Sequence, residues 1–227
     1  MSTGPNSAVH GEVLLYDRPQ CVARARFLFA HGAGAPMDSE FMRVISAGLS
    51  AQGVEVWRFE FPYMAARRSG GPKRPPNTMS QLLDSLRGVL ERADTSAVGI
   101  PLLIGGKSLG GRVASLLADE LYAEERIAGL VCFGYPFHPR GKPDQLRTAH
   151  LRALNCPTLV LQGSRDPLGS RGEVAGYDLS AALGFRWLED GDHDFRPRIA
   201  SGFSQGEHWQ TAVEAAAGFM LSVTPVT

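Results

Sequence analysis

The chain has 227 residues, 44% of them hydrophobic and 20% charged, which are the proportions of an ordinary globular protein with enough length for a substantial core. Its formal net charge is zero, which argues against nucleic-acid or anionic-membrane partners recruited by bulk attraction. The longest apolar run, Ile127–Tyr135, is too short to span a bilayer. The three cysteines, Cys21, Cys132 and Cys156, are scattered and lack metal-ligand spacing. With no secretory pattern in the first residues, they point to a reducing cytoplasm.

Residues 1–9 read as a flexible N-terminal tail and residues 10–227 as one domain. Glu12–Tyr16 is expected to form an edge strand. Arg26–Ala30 is a short, almost continuously apolar strand of the kind buried at the centre of a parallel sheet, and it ends in His31-Gly32-Ala33-Gly34. Phe41, Val44, Ile45 and Leu49 mark an amphipathic helix capped by Asp38 or Ser39 and closed near Gly53. Val54–Phe61 is the next strand. Pro62–Asn77, with four prolines and the cations Arg67, Arg68, Lys73 and Arg74, reads as a long loop.

Thr78 and Gln81 form a capping box for a helix that buries Met79, Leu82, Leu83, Leu86, Val89 and Leu90. The apolar run Pro101–Ile104 then leads into Gly106-Lys107-Ser108-Leu109-Gly110, followed by Val113, Leu116, Leu117 and Leu121 on one helical face. Further strands are expected at Ile127–Phe133, Pro157–Gln162 and Phe185–Leu188. A short helix could end near Leu154, another helix is expected over Val174–Leu183, and a terminal helix carries Trp209, Val213, Ala216, Ala217, Met220 and Leu221. Strands alternating with helices predict a mostly parallel sheet of seven to eight strands covered on both faces, with ligands bound beyond the carboxyl ends of the strands.

The chemistry-bearing residues fall at those ends. Gly-x-Ser-x-Gly between a strand and a helix is a nucleophile elbow, which places Ser108 at the tip of a strained turn. Asp166 and His193 follow later strands in the order such an elbow requires, as orienting acid and general base. Asp166 before Pro167 could otherwise be a simple turn residue, and His193 a solvated histidine among acids; metal binding is a weaker option and no metal is expected. The oxyanion donors are expected to be the backbone N–H groups of Leu109 and of Ala33, with Gly34 the fallback.

Candidate substrate contacts are His31, which could instead brace its loop, Arg67 and Arg68, which could receive an anion or remain solvated, and Tyr135, which could line a pocket or lie in the core. Lys107 is given only a packing or pairing role. His10 and His208 look exposed.

These motifs resemble the α/β-hydrolase superfamily, in particular small serine hydrolases with dienelactone-hydrolase-like proportions. His31–Gly34, Phe61-Pro62-Tyr63-Met64, Arg74-Pro75-Pro76, Gly106–Arg112 and Asp192-His193-Asp194-Phe195 are similar to a bacterial branch related to a testis-expressed protein and to a subunit of a chromatin acetyltransferase complex. The resemblance implies an α/β-hydrolase fold without a large lid domain, a Ser-Asp-His triad and no cofactor. Dienelactone hydrolases proper carry cysteine at the elbow, so their substrate is not implied. The expected activity is hydrolysis of a small-molecule ester or thioester. A hydrolase-shaped scaffold and an acyltransferase are the alternatives.

Overall fold

The computed structural model describes residues 14–94 and 99–223. The tail expected over residues 1–9, and His10, lie outside the described residues.

Seven strands form one sheet in the order β1-β3-β2-β4-β5-β6-β7. They are β1 (Leu14–Asp17), β2 (Ala25–Ala30), β3 (Val54–Phe59), β4 (Leu102–Lys107), β5 (Gly129–Phe133), β6 (Thr158–Gly163) and β7 (Leu183–Leu188). Only β1 runs antiparallel, at the edge. The helices are α1 (Glu40–Ala51), α2 (Pro62–Arg68), α3 (Met79–Asp94), α4 (Leu109–Ala123), the single turn α5 (Arg171–Val174) and α6 (Gln205–Ser222).

Strands β2, β3, β4 and β5 are buried at every position, because helices cover both faces of the sheet. Period-two alternation sorts their side chains. Phe27, Phe29, Leu103 and Val131 pack with Met42 and Ile45 of α1 and Val213 and Met220 of α6. Leu28, Ala30, Ile104 and Leu130 pack on the other face with Leu82 and Leu86 of α3 and Val113 and Leu117 of α4. The Thr78–Gln81 capping box is present: Thr78 N–H donates to Gln81 Oε1 at 3.3 Å, and Gln81 N–H to Thr78 Oγ1 at 3.5 Å.

Three expectations need correction. The segment 62–77 is not all loop, since residues 62–68 form α2. Pro62 sits at the helix N-terminus, where a missing N–H costs nothing and the fixed φ suits helix. For the same reason β3 stops at Phe59 instead of reaching Phe61. The helix expected over Val174–Leu183 is confined to residues 171–174, capped by Ser170 and Glu173. Beyond Gly176, Asp178 pairs with Arg152, and Ser180 Oγ donates to the Leu154 carbonyl at 2.6 Å. Those side-chain bonds hold the segment in a non-helical path.

The sheet order reverses between β2 and β4: the chain leaves β2 towards β3 on one side and leaves β4 towards β5 on the other. The crevice at such a switch point is where open α/β sheets take ligands. Here it lies between the loop after Ala30 and the turn at Ser108.

Candidate active site

Ser108 joins β4 directly to α4 with φ 51° and ψ −111°, a left-handed backbone that a non-glycine residue adopts only when its surroundings enforce it. The enforcement comes from close packing beneath the turn. A Cβ on Gly106 would lie 2.6 Å from the Ala30 carbonyl oxygen, and one on Gly110 would lie 2.5 Å from that same atom. Glycine at both positions lets α4 sit against the end of β2. The turn is fixed from the other side by Ser108 N–H donating to the Phe133 carbonyl at 3.0 Å.

The hydroxyl of Ser108 meets the imidazole of His193, with Oγ 2.9 Å from Nε2. The opposite ring nitrogen, Nδ1, donates to Asp166 Oδ2 at 2.7 Å. These three residues, from turns after β4, β6 and β7, therefore form one hydrogen-bonded chain. Asp166 is fully buried, while the His193 side chain keeps about a fifth of its surface exposed, 20%. Asp166 also accepts the Leu168 N–H at 2.8 Å through Oδ1 and the Gln162 amide at 2.9 Å through Oδ2. Those donors hold the carboxylate in the geometry that selects the Nδ1–H tautomer of His193. That tautomer leaves Nε2 free to accept the serine proton.

Gln162 belongs to no motif legible in the sequence. Its amide also donates to the carbonyls of Tyr135 and Gly169, and its oxygen accepts the Tyr135 N–H at 2.7 Å. The signal was a carboxamide ending the otherwise apolar strand Thr158-Leu-Val-Leu, a placement that demands buried partners.

Lys107 does more than pack. Its ammonium donates to the His193 carbonyl at 2.6 Å, lies 3.4 Å from Asp194 Oδ1, and faces the rings of Phe41 and Phe195. Burial pulls this amine below the ordinary lysine range, opposed by the carboxylates of Asp194, Asp166 and Asp192. The His193 turn is held further by Asp190, which accepts from Arg198 and pairs with Arg165 at 2.8 Å. The bond from Arg198 drives the Asp190 carboxyl down to about 2. His208, expected to be exposed, is buried and donates through Nδ1 to the Phe195 carbonyl at 2.8 Å. Its place one turn into α6 faces the site loop, a relationship that helical periodicity alone does not reveal.

The loop after β2 approaches Ser108 closely: a Cβ on Gly32 would lie 3.8 Å from Ser108 Cβ. His31 is fully buried, with Nδ1 donating to the Gly32 carbonyl at 2.7 Å and Nε2 accepting the Phe61 N–H at 3.1 Å. Tyr63 donates its hydroxyl to the Ala33 carbonyl at 3.0 Å. Burial pushes that phenol up to about 12, so it stays a donor. In a trans peptide the N–H points opposite the carbonyl. Holding the Gly32 and Ala33 carbonyls back therefore turns the Ala33 and Gly34 N–H groups the other way. Leu109, the first residue of α4, has its N–H at the positive end of the helix.

The remaining sequence candidates lie elsewhere or are already engaged. Arg68 is committed to Glu60, at 2.9 and 2.7 Å, and to Asp38 at 2.9 Å, so its charge is neutralised within the fold. Arg67 is exposed beside a cleft of about 320 Å³ that it shares with Pro36, Asp38, Glu60 and Met64. Tyr135 is buried in the core, packed against Phe137, with its hydroxyl bonded to the Arg147 carbonyl at 3.0 Å. It does not line an open pocket, because the turn after β5 is buried, with Tyr135 and Phe137 almost fully enclosed and the Tyr135 N–H bonded to Gln162. A second serine–histidine contact, Ser115 Oγ to His150 Nε2 at 2.8 Å, is two helical turns into α4 and has no carboxylate on the imidazole among the described residues. Among the described residues no group of three or more His, Cys, Asp or Glu could hold a metal ion, and no helix is long and apolar enough to cross a membrane.

This architecture recurs in known proteins. A lidless α/β serine hydrolase from Xanthomonas campestris superposes with a TM-score of 0.66 at 20% identity, over 93% of this chain and 90% of that one. Dienelactone hydrolase from Anabaena variabilis gives 0.66 at 19% identity, over 94% and 98%. Est1E from Butyrivibrio proteoclasticus, solved with ferulic acid bound, gives 0.67 at 16% identity, over 93% and 95%. Residues 23–221 match the family described as alpha/beta hydrolase domain, and the chain belongs to that family.

Proposed function

We propose that the protein is a serine hydrolase that cleaves a carboxylic ester or thioester through an acyl-Ser108 intermediate. The observation that carries this reading is the continuous hydrogen-bonded line from Ser108 Oγ through His193 to Asp166, at 2.9 and 2.7 Å.

In this mechanism His193 Nε2 takes the hydroxyl proton as Oγ attacks the substrate carbonyl. Asp166 holds the ring and stabilises the imidazolium that results. The oxyanion of the tetrahedral intermediate is received by the N–H of Leu109 and by the N–H of Ala33 or Gly34. Collapse expels the alcohol or thiol, which leaves with the proton from His193. Water then repeats the sequence: His193 deprotonates it, it attacks the acyl carbonyl, and Ser108 departs protonated. Pinned carbonyls in the 31–34 loop support the oxyanion assignment, since a preorganised donor costs no rearrangement during reaction. His31 serves this loop as a brace and is not a second base.

The domain is taken to run over residues 10–227. A reducing cytoplasm suits its three unpaired thiols, two of which are buried. The resemblance of its motifs to the bacterial branch, together with the esterase-like fold, supports an open pocket that takes a small-molecule substrate.

A fluorophosphonate probe should label the protein at Ser108 and leave Ser108→Ala unlabelled, with ester or thioester turnover reduced about a thousandfold or more in that variant. Absence of labelling in folded wild-type protein would overturn the proposal.

A further inference from the structure

Ser108, Arg112, Ser115 and Asp119 are spaced along one face of α4. The lower two meet the segment that links β5 to β6: Ser115 contacts His150, and Asp119 accepts the N–H groups of Asn155 and Cys156 at 2.7 and 3.0 Å. Arg112 thus lies between the nucleophile and that segment. Its side chain leans towards the helix N-terminus, as helical side chains do.

Arg147 stands opposite. The Arg112 carbonyl accepts the Ser115 hydroxyl at 2.8 Å, Ser115 Oγ is 3.5 Å from the Tyr135 hydroxyl, and that hydroxyl donates to the Arg147 carbonyl at 3.0 Å. The charge of Arg112 reaches the Arg147 guanidinium, which is pulled below the ordinary arginine range by burial and then by Arg112. Among the described residues no carboxylate pairs with either. Neither guanidinium has a hydrogen bond or ion pair among the described residues, and Arg112 Nε is buried without a partner. Asp119, the acid on this face, turns its Oδ1 to the backbone N–H groups of Asn155 and Cys156 and forms no ion pair with either arginine among the described residues. Elsewhere the chain pairs its buried arginines: Arg26 with Glu55 and Arg58 with Asp17, each at 2.8 Å.

Two half-buried arginines on neighbouring stretches of backbone, with no paired carboxylate, are stabilised when an anion binds between them. We propose that Arg112 and Arg147 form an anion subsite that holds a carboxylate carried by the substrate's acyl group. Guanidinium pairs grip such planar oxyanions through paired N–H bonds. Four residues of helix rise about 6 Å, the scale of a three-carbon spacer between a free carboxylate and the ester carbonyl at Ser108. The substrate class is therefore a half-ester or half-thioester of a short dicarboxylic acid. The choice of substrate rests on the hydrolase reading; the anion subsite does not.

The test has two arms. In the kinetic arm, the mono-4-nitrophenyl ester of glutaric acid is compared with 4-nitrophenyl valerate, which has the same chain length and no charge. The wild type should favour the charged ester at least tenfold in kcat/KM at low salt. Arg112→Gln and Arg147→Gln should each cut that ratio by tenfold or more, and 0.5 M sodium chloride should shrink it. In the binding arm, Ser108→Ala protein is heated with free glutarate or inorganic phosphate. Glutarate should raise Tm, and the rise should vanish when Arg147→Gln is added. A wild-type ratio near one, no glutarate shift, or a shift that survives loss of Arg147 overturns the subsite. A phosphate shift larger than the glutarate shift overturns its assignment to a carboxylate. If neither ester turns over, fluorophosphonate labelling of Ser108 decides the hydrolase reading and the binding arm alone decides the subsite. If Arg112→Gln does not fold, Arg147→Gln, on the partly exposed connecting segment, carries both arms.

Discussion

The ammonium of Lys107 and the backbone carbonyl of His193 are joined by a 2.6 Å hydrogen bond across 86 residues of sequence. Through it the residue that ends β4 ties down the turn that carries the imidazole, so nucleophile and base share one anchor. A Cβ on Gly134 would come within 3.0 Å of the same ammonium and 3.1 Å of the same carbonyl, so the backbone closes tightly around this contact.

Lys107→Met removes the anchor and keeps the volume. Expected is a fall of about tenfold or more in kcat/KM, because a displacement near 1 Å at the base is enough for such a loss. Stability should change little, since the variant also escapes the cost of burying an ammonium. Steady-state kinetics and a urea melt on the same preparation check this. A melt midpoint that falls sharply, with full activity in the protein still folded, would make the contact merely structural.

Gly110→Ala places a methyl group 2.5 Å from the Ala30 carbonyl oxygen and 2.8 Å from Ala30 Cβ. Neither backbone nor a Cβ can yield as a flexible side chain would. A destabilisation of about 3 kcal/mol is expected, read from the shift in urea midpoint. The control is Gly88→Ala on α3, where nothing lies within 4 Å of the added methyl group. That change should leave the fold as stable or make it slightly more so.

Burial holds His31 below the ordinary histidine range, with Glu60 opposing and Arg68 reinforcing the shift. The folded protein therefore keeps His31 neutral at a pH where the unfolded chain has already taken up a proton. Stability is fully present above the unfolded value of about 6.5 and is lost as pH falls below it, by up to about 1.4 kcal/mol per pH unit for one such group. His150 is depressed by burial and by Arg112, so it acts with the same sign. The urea midpoint should fall between pH 7.5 and 5.5, and less steeply in His31→Phe. A flat profile would show that His31 takes up its proton in the folded state.

The glutamine at the end of β6 shows how much of the site lay beyond sequence reading. A strand written Thr-Leu-Val-Leu-Gln-Gly announces burial, but the four bonds of the Gln162 amide go to Tyr135, Asp166 and Gly169, set by how three turns meet. Arg68 is the converse case. In the sequence it is one cation in a basic, proline-rich stretch, free to take an anion. In the fold it is closed off by Glu60 and Asp38.

By itself the sequence determined the alternation of buried strands and amphipathic helices, the glycine-flanked turn at Ser108, and the order in which serine, acid and histidine follow strand ends. These are local properties, written in periodicity and in which residues a tight turn tolerates. Tertiary structure alone decided that α2 begins at Pro62, that His208 and Tyr135 are buried, that Lys107 and Gln162 hold the reactive groups in place, and that Arg112 Nε is buried without a partner among the described residues. Each of those depends on a partner brought in from a distant stretch of chain, and burial and pairing belong to the packed arrangement of elements, which no single window of residues contains.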